Sequence, residues 1–125
     1  MDVDKSGINE VTGKIIGCAF AVANSLGVGF LEKVYENALA HELRKSGLAA
    51  QQQREIAVTY DNVVVGQYVA DLVVGDSVIL EVKAVKALDD VHYAQCLNYL
   101  KATGIRVCLL MNFGSPKVQI KRFVN

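Results

Sequence analysis

An α+β fold, a mixed sheet flanked by helices, is predicted from three features of the sequence. Apolar residues recur at steps of three and four over residues 8–43, the period of helices with one buried face. From residue 55 to 85 the period changes to two or to short unbroken runs, as strands require. Helical spacing returns once, over 91–103, before two last apolar runs, and glycines or turn-forming dipeptides mark most of the changes.

Each element follows in order. Ile8, Val11, Ile15, Ala19, Val22 and Leu26 define a first helix that Gly27 is placed to end. After the turn "GVG", Leu31, Val34, Tyr35, Ala38, Leu39 and Leu43 define a second, closed by Gly47, with Glu32 in its first turn. "EIAVTY", the turn "DN", "VVVGQYVADLVV", the connection "GDS" and "VILEVKAV" then read as three antiparallel strands in a meander. "ALDD" offers Asp89 or Asp90 as N-cap to a third helix, "VHYAQCLNYLKATG", with Val91, Ala94 and Leu97 as its packing side and Gly104 as its stop. "IRVCLLMNF" and "VQIKRFV", either side of "GSP", complete the chain as strands.

At 125 residues, without repeats or low-complexity tracts, the chain reads as one domain over 1–125. Thirteen basic and thirteen acidic residues cancel, so any attraction for phosphate must come from local placement. Cys18, Cys96 and Cys108 are odd in number and set in apolar runs, which suits reduced core thiols better than disulfides or a zinc site. The longest apolar stretch, residues 15–31, is broken by Asn24, Ser25 and three glycines. It is too short for a bilayer, and "MDVDKSG" is not a basic leader. A cytoplasmic protein without membrane contact is expected, and the apolar first helix makes a homodimer an expectation as well.

The chemistry is concentrated in "VILEVKAVK". Residues two apart in a strand share a face, so Glu81 and Lys83 project together while Leu80 and Val82 face the other way. A three-residue "GDS" loop pairs Val74 with Val78 and brings Asp71 opposite Glu81; a two-residue loop would set Asp71 opposite Leu80 and split the charges between faces. Facing carboxylates repel and need a cation. Lys83 can supply part of it and a divalent metal the rest, with Asp71, Glu81 and the Val82 carbonyl as oxygen ligands suited to Mg²⁺. Such an ion can activate water against a phosphodiester, with Lys83 orienting the water or stabilising transition-state charge. Gln95 and Tyr99, four apart on the third helix, put an amide and a phenol on one face. The competing structural reading is a solvent-facing ladder of salt-bridged charges, in which Glu81 has no second carboxylate near it.

Taken together, "GFLEKVYENALAHEL", "YVADLVV", "VILEVKAV", "HYAQCLNYLKATG" and "NFGSPKVQIKR" resemble the GxxExxY family of the PD-(D/E)xK nuclease superfamily, from about residue 8 onward. Gly29, Glu32 and Tyr35 meet the name motif, Asp71, Glu81 and Lys83 the metal signature, and Gln95 with Tyr99 the helix-borne motif. Val69 and Tyr93 depart from the family pattern, outside the metal signature. The resemblance implies a PD-(D/E)xK nuclease-like αβββαβ core, here with an extra N-terminal helix and a C-terminal strand. It implies a Mg²⁺-dependent nuclease, with Mn²⁺ as substitute ion and nucleic acid as partner, DNA in preference to RNA, and Glu32 as an additional acid reaching the metal. The alternative is a catalytically silent module of the same fold that binds nucleic acid or a protein.

Overall fold

The computed structural model describes residues 7–125; the opening segment read above as no leader lies, but for Gly7, outside them. The elements run α1 (Ile8–Leu26), α2 (Glu32–Lys45), β1 (Ala50–Tyr60), β2 (Val63–Val74), β3 (Val78–Lys83), α3 (Asp90–Thr103), β4 (Val107–Asn112) and β5 (Gln119–Val124). One five-stranded sheet in the order β1-β2-β3-β4-β5 carries α1 and α2 on one face and α3 on the other. β3 and β4 are parallel, joined across α3, and every other neighbouring pair is antiparallel. Among the described residues, no helix is long and apolar enough to cross a membrane.

Two cores follow from this layering. Ile15, Ala19, Tyr35, Leu39 and Leu43 pack on Leu72, Leu80, Val82, Leu109 and Met111 on one face. Cys96, Tyr99 and Leu100 pack on Val73, Ile79, Cys108 and Leu110 on the other. β3 and β4 face apolar layers on both sides, as unbroken apolar strands must.

Local chemistry sets the boundaries. Asp61 and Asn62 both take left-handed φ, 53° and 62°, which makes "DN" a two-residue hairpin turn. Asp89 caps α3 by accepting from the Val91 N–H, while His92 Nδ1 accepts the Asp89 N–H in return, a capping box with His in the usual Glu position. At the end of α2, Gly47 N–H donates to Arg44 and Leu48 N–H to Leu43, both at 3.0 Å, a Schellman closure that returns Leu48 to the core.

Three expectations are corrected. β1 begins at Ala50, not Glu55: the polar run 50–54 has no strand-like alternation of its own and becomes strand by pairing with 70–74. Leu31 and Val34 are exposed, because α2 starts at Glu32 and turns Tyr35, Leu39 and Leu43 to the sheet. Val91, Ala94 and Leu97 are not the packing side of α3; they are exposed, and the larger set Cys96, Tyr99 and Leu100 is buried instead.

Candidate metal centre and active site

The connection Gly75–Ser77 has three residues, and Val74 pairs with Val78, Val73 with Ile79 and Leu72 with Leu80. Asp71 is next in this register to Glu81, as the three-residue loop requires. The ladder ends one step short of them. There the strands part, and Asp71 Oδ2 accepts the Val82 N–H at 2.8 Å, taking the place a backbone carbonyl would have held.

Glu81 is 2% exposed, and its Oε1 is buried without a hydrogen-bond partner. Burial, then hydrogen bonding to Asp71 and the charge of Asp71, push its pKa from 4.5 to about 10, against the opposing pull of Lys83. The salt-bridged ladder on open solvent is therefore not what forms: Glu81 is enclosed, and a second carboxylate stands beside it.

Lys83 is half-buried at the end of β3 and, with Gln95, Tyr99, Tyr68, His92 and Asn98, lines a cleft of about 580 Å³ between α3 and the β1–β2 hairpin. Gln95 Nε2 donates to the Tyr99 hydroxyl at 3.0 Å, and that hydroxyl donates to the Val69 carbonyl at 3.4 Å. Burial, with the charge of Glu81 next in weight, raises the Tyr99 pKa to about 12. Tyr99 thus reaches both the cleft and the carboxylates beneath it. Asp71, Glu81, Lys83, Gln95 and Tyr99 are brought together on the α3 face. Val82 joins them through its N–H, its side chain facing the other core.

Glu32 is not brought to this group. It is exposed in the first turn of α2, on the opposite sheet face, and among the described residues no three His, Cys, Asp or Glu side chains cluster so as to hold a metal. Its motif partners are structural. Gly29, at φ 110°, needs the freedom of glycine, and the Tyr35 hydroxyl donates to Gly27 O at 2.6 Å while accepting the Phe30 N–H at 3.2 Å. Tyr35 also stacks on Phe113 at 4.9 Å, tying the α1–α2 turn to the end of β4.

Sequence reasoning missed two supports. Cys96 and Cys108 are buried thiols in contact beneath Glu81; their mutual hydrogen bond, then burial, push Cys108 well above the usual thiol range. Asn112, fully buried, accepts from Val85 N–H and Gly114 N–H and donates to Val85 O and Gln119, which fixes the segment after Lys83. Neither has a local signal, since Cys96 meets Cys108 across the α3–β4 connection and Asn112 meets Val85 27 residues away.

The donor set fits a hard divalent cation. Two carboxylates share one pocket, one of them with an unpartnered buried oxygen, and oxygen ligands of this kind suit Mg²⁺, which needs only one or two.

Comparison with known proteins agrees with the fold. Residues 9–123 match the PD-(D/E)XK nuclease superfamily. Among solved structures, an alkaline exonuclease (LHK-Exo) from Laribacter hongkongensis superposes with TM-score 0.55 at 14% identity, over 100% of this chain and 72% of that one. The protein SSO0001 superposes with TM-score 0.59 at 17% identity, over 95% of this chain and 59% of that one. At these identities the two share the fold. A comparison with curated sequences gives no match. With the match spanning nearly every element, the chain belongs to the PD-(D/E)XK nuclease superfamily.

Proposed function

We propose that the chain is a Mg²⁺-dependent nuclease of the GxxExxY group, hydrolysing phosphodiester bonds of nucleic acid, DNA in preference to RNA, with Mn²⁺ able to substitute. The observation that carries this reading is the buried Glu81 carboxyl, one oxygen unpartnered, held beside Asp71 under a cleft that Lys83 lines. A purely structural ion pair leaves no such orphan.

Asp71 and Glu81 would hold the ion, with the Val82 carbonyl as a third oxygen. The bound ion supplies charge neutralisation at the phosphate and a lowered pKa for water. Glu81 would hold the ion in its ionised form, so affinity for the ion would rise with pH. Lys83 donates from its ammonium to the attacking water and to charge gathering on the phosphate oxygens. Tyr99, with its pKa near 12, remains a protonated phenol in the physiological range, and with the Gln95 amide it presents hydrogen-bond donors to the phosphate.

The test incubates labelled single- and double-stranded DNA and RNA with Mn²⁺ and either wild type or Lys83→Ala. Cleavage should fall by about 100-fold or more in the variant while Mn²⁺ binding persists. Equal cleavage by both proteins refutes the assignment, and nucleic-acid binding without cleavage by the wild type identifies the silent module instead.

A further inference from the structure

The hairpin that carries Asp71 contains an inversion. Gln52 pairs with Leu72 and Arg54 with Ala70, but Gln53 and Asp71, which face each other between them, form no ladder pair. Gln53 has φ 53°, a left-handed conformation that a non-glycine residue in mid-strand adopts only when held there. Across this point both strands exchange faces. Ala50, Leu72 and Val74 pack toward α1 and α2, whereas Ile56, Ala70 and Val73 pack toward α3; strict alternation would have put Ala70 with Leu72.

What holds Gln53 is Glu36, a carboxylate on α2 that is 3% exposed and takes no part in the site described above. Its Oε1 accepts from Gln53 Nε2 at 2.8 Å and its Oε2 from Gln52 Nε2 at 2.7 Å, while Lys33 Nζ lies 3.2 Å from each. Adjacent strand residues normally point to opposite faces, yet Gln52 and Gln53 both reach one carboxylate. That is possible only with the backbone inverted between them. A neutral amide at position 36 would offer one acceptor oxygen in place of two and would lose the charge that meets Lys33.

We infer that Glu36 is a positioning residue for the metal centre: by gripping Gln53 it keeps the hairpin inverted, and the inversion ends the β2–β3 ladder at Asp71, so that its carboxylate, already on the α3 face by strand parity, takes the Val82 N–H beside Glu81. This rests on the metal-site reading given under Proposed function. Glu36 acts through Gln53 and Asp71 and touches neither ion nor substrate.

The test uses the full chain with Glu36→Ala, Gln53→Gly and the double variant, followed by Mn²⁺ titration calorimetry and by the Val82 amide proton in NMR spectra of the metal-free protein. Glu36→Ala should weaken Mn²⁺ binding about ten-fold, the scale of loss when a ligand's supporting partner is removed. It should also shift the Val82 amide upfield as its bond to Asp71 loosens. Glycine takes left-handed φ without strain, so adding Gln53→Gly should recover both readouts to within about three-fold while the stability lost with Glu36 stays lost. Unchanged Mn²⁺ affinity and an unmoved Val82 amide in folded Glu36→Ala overturn the inference, as does failure of the glycine to restore either. If Glu36→Ala does not fold, Glu36→Gln, which keeps one acceptor, decides by the same two readouts. A wild type that binds no Mn²⁺ sinks the metal reading, and the Val82 amide alone then decides whether Glu36 positions Asp71.

Discussion

Replacing Glu81 with glutamine should make the protein more stable at alkaline pH, and the structure gives the size of the effect. In the folded chain the Glu81 carboxyl holds its proton up to about pH 10, whereas in the unfolded chain it releases it near 4.5. Between those values the folded state binds one proton more than the unfolded state. Stability therefore falls as pH rises, by about 1.4 kcal/mol per pH unit. From about pH 6 to about pH 8 the loss is about 3 kcal/mol, or about 12 °C in Tm at about 4 °C per kcal/mol for a chain of this size. Glutamine does not titrate, is close to isosteric, and can donate to Asp71. Thermal melts of wild type and Glu81→Gln in metal-free buffer should show curves that separate with pH, the variant's lead growing by about 12 °C between about pH 6 and about pH 8. Taking the difference between the two proteins cancels the titrating groups that do not interact with Glu81. Saturating Mn²⁺ should close the gap by stabilising the wild type alone. Parallel curves across this range would refute the reasoning, since they would mean that Glu81 is ionised in the folded protein.

Two further predictions concern the segment that follows Lys83. Asn112→Ala removes four hydrogen bonds from a fully buried side chain and should cost about 3 kcal/mol in urea unfolding. Gly114→Ala would set a Cβ against the Val85 backbone, closer than any real contact, so backbone must move; a loss of about 2 kcal/mol or more, with weakened cleavage as Lys83 shifts, is the expected outcome in unfolding and activity assays.

Much of the site is legible in sequence because it depends on local counting. The three residues of "GDS" fix the register of β2 against β3, and that register with strand parity puts Asp71 near Glu81 and Lys83. The gathering of Gln95 and Tyr99 follows from helical spacing in the same way. What escapes is what distant residues decide. α3 carries apolar side chains on both faces, so spacing alone does not choose Cys96, Tyr99 and Leu100 over Val91 and Leu97; the sheet beneath does. Glu36 looks like an ordinary surface acid one turn beyond Glu32 until "QQQ", sixteen residues later, folds back to cover it. The inversion at Gln53 contradicts strand periodicity, and no count along the chain reveals it. Glu32, by contrast, was singled out by its motif, yet its place on α2 leaves it in solvent.

The parting of β2 from β3 at Asp71 also divides the hairpin energetically. Beyond that point Val63–Val69 pair with β1 alone, forming a two-stranded ribbon whose tip exposes Tyr60, Val63, Val64 and Val65. Such a ribbon is marginal by itself, so its amides should exchange with solvent well before those of the five-stranded body. The border between the quickly opening and the slowly opening parts of the molecule falls on a carboxylate of the candidate centre. An ion bound there would fasten the root of the ribbon, and whatever bends the ribbon would be felt first at the ion.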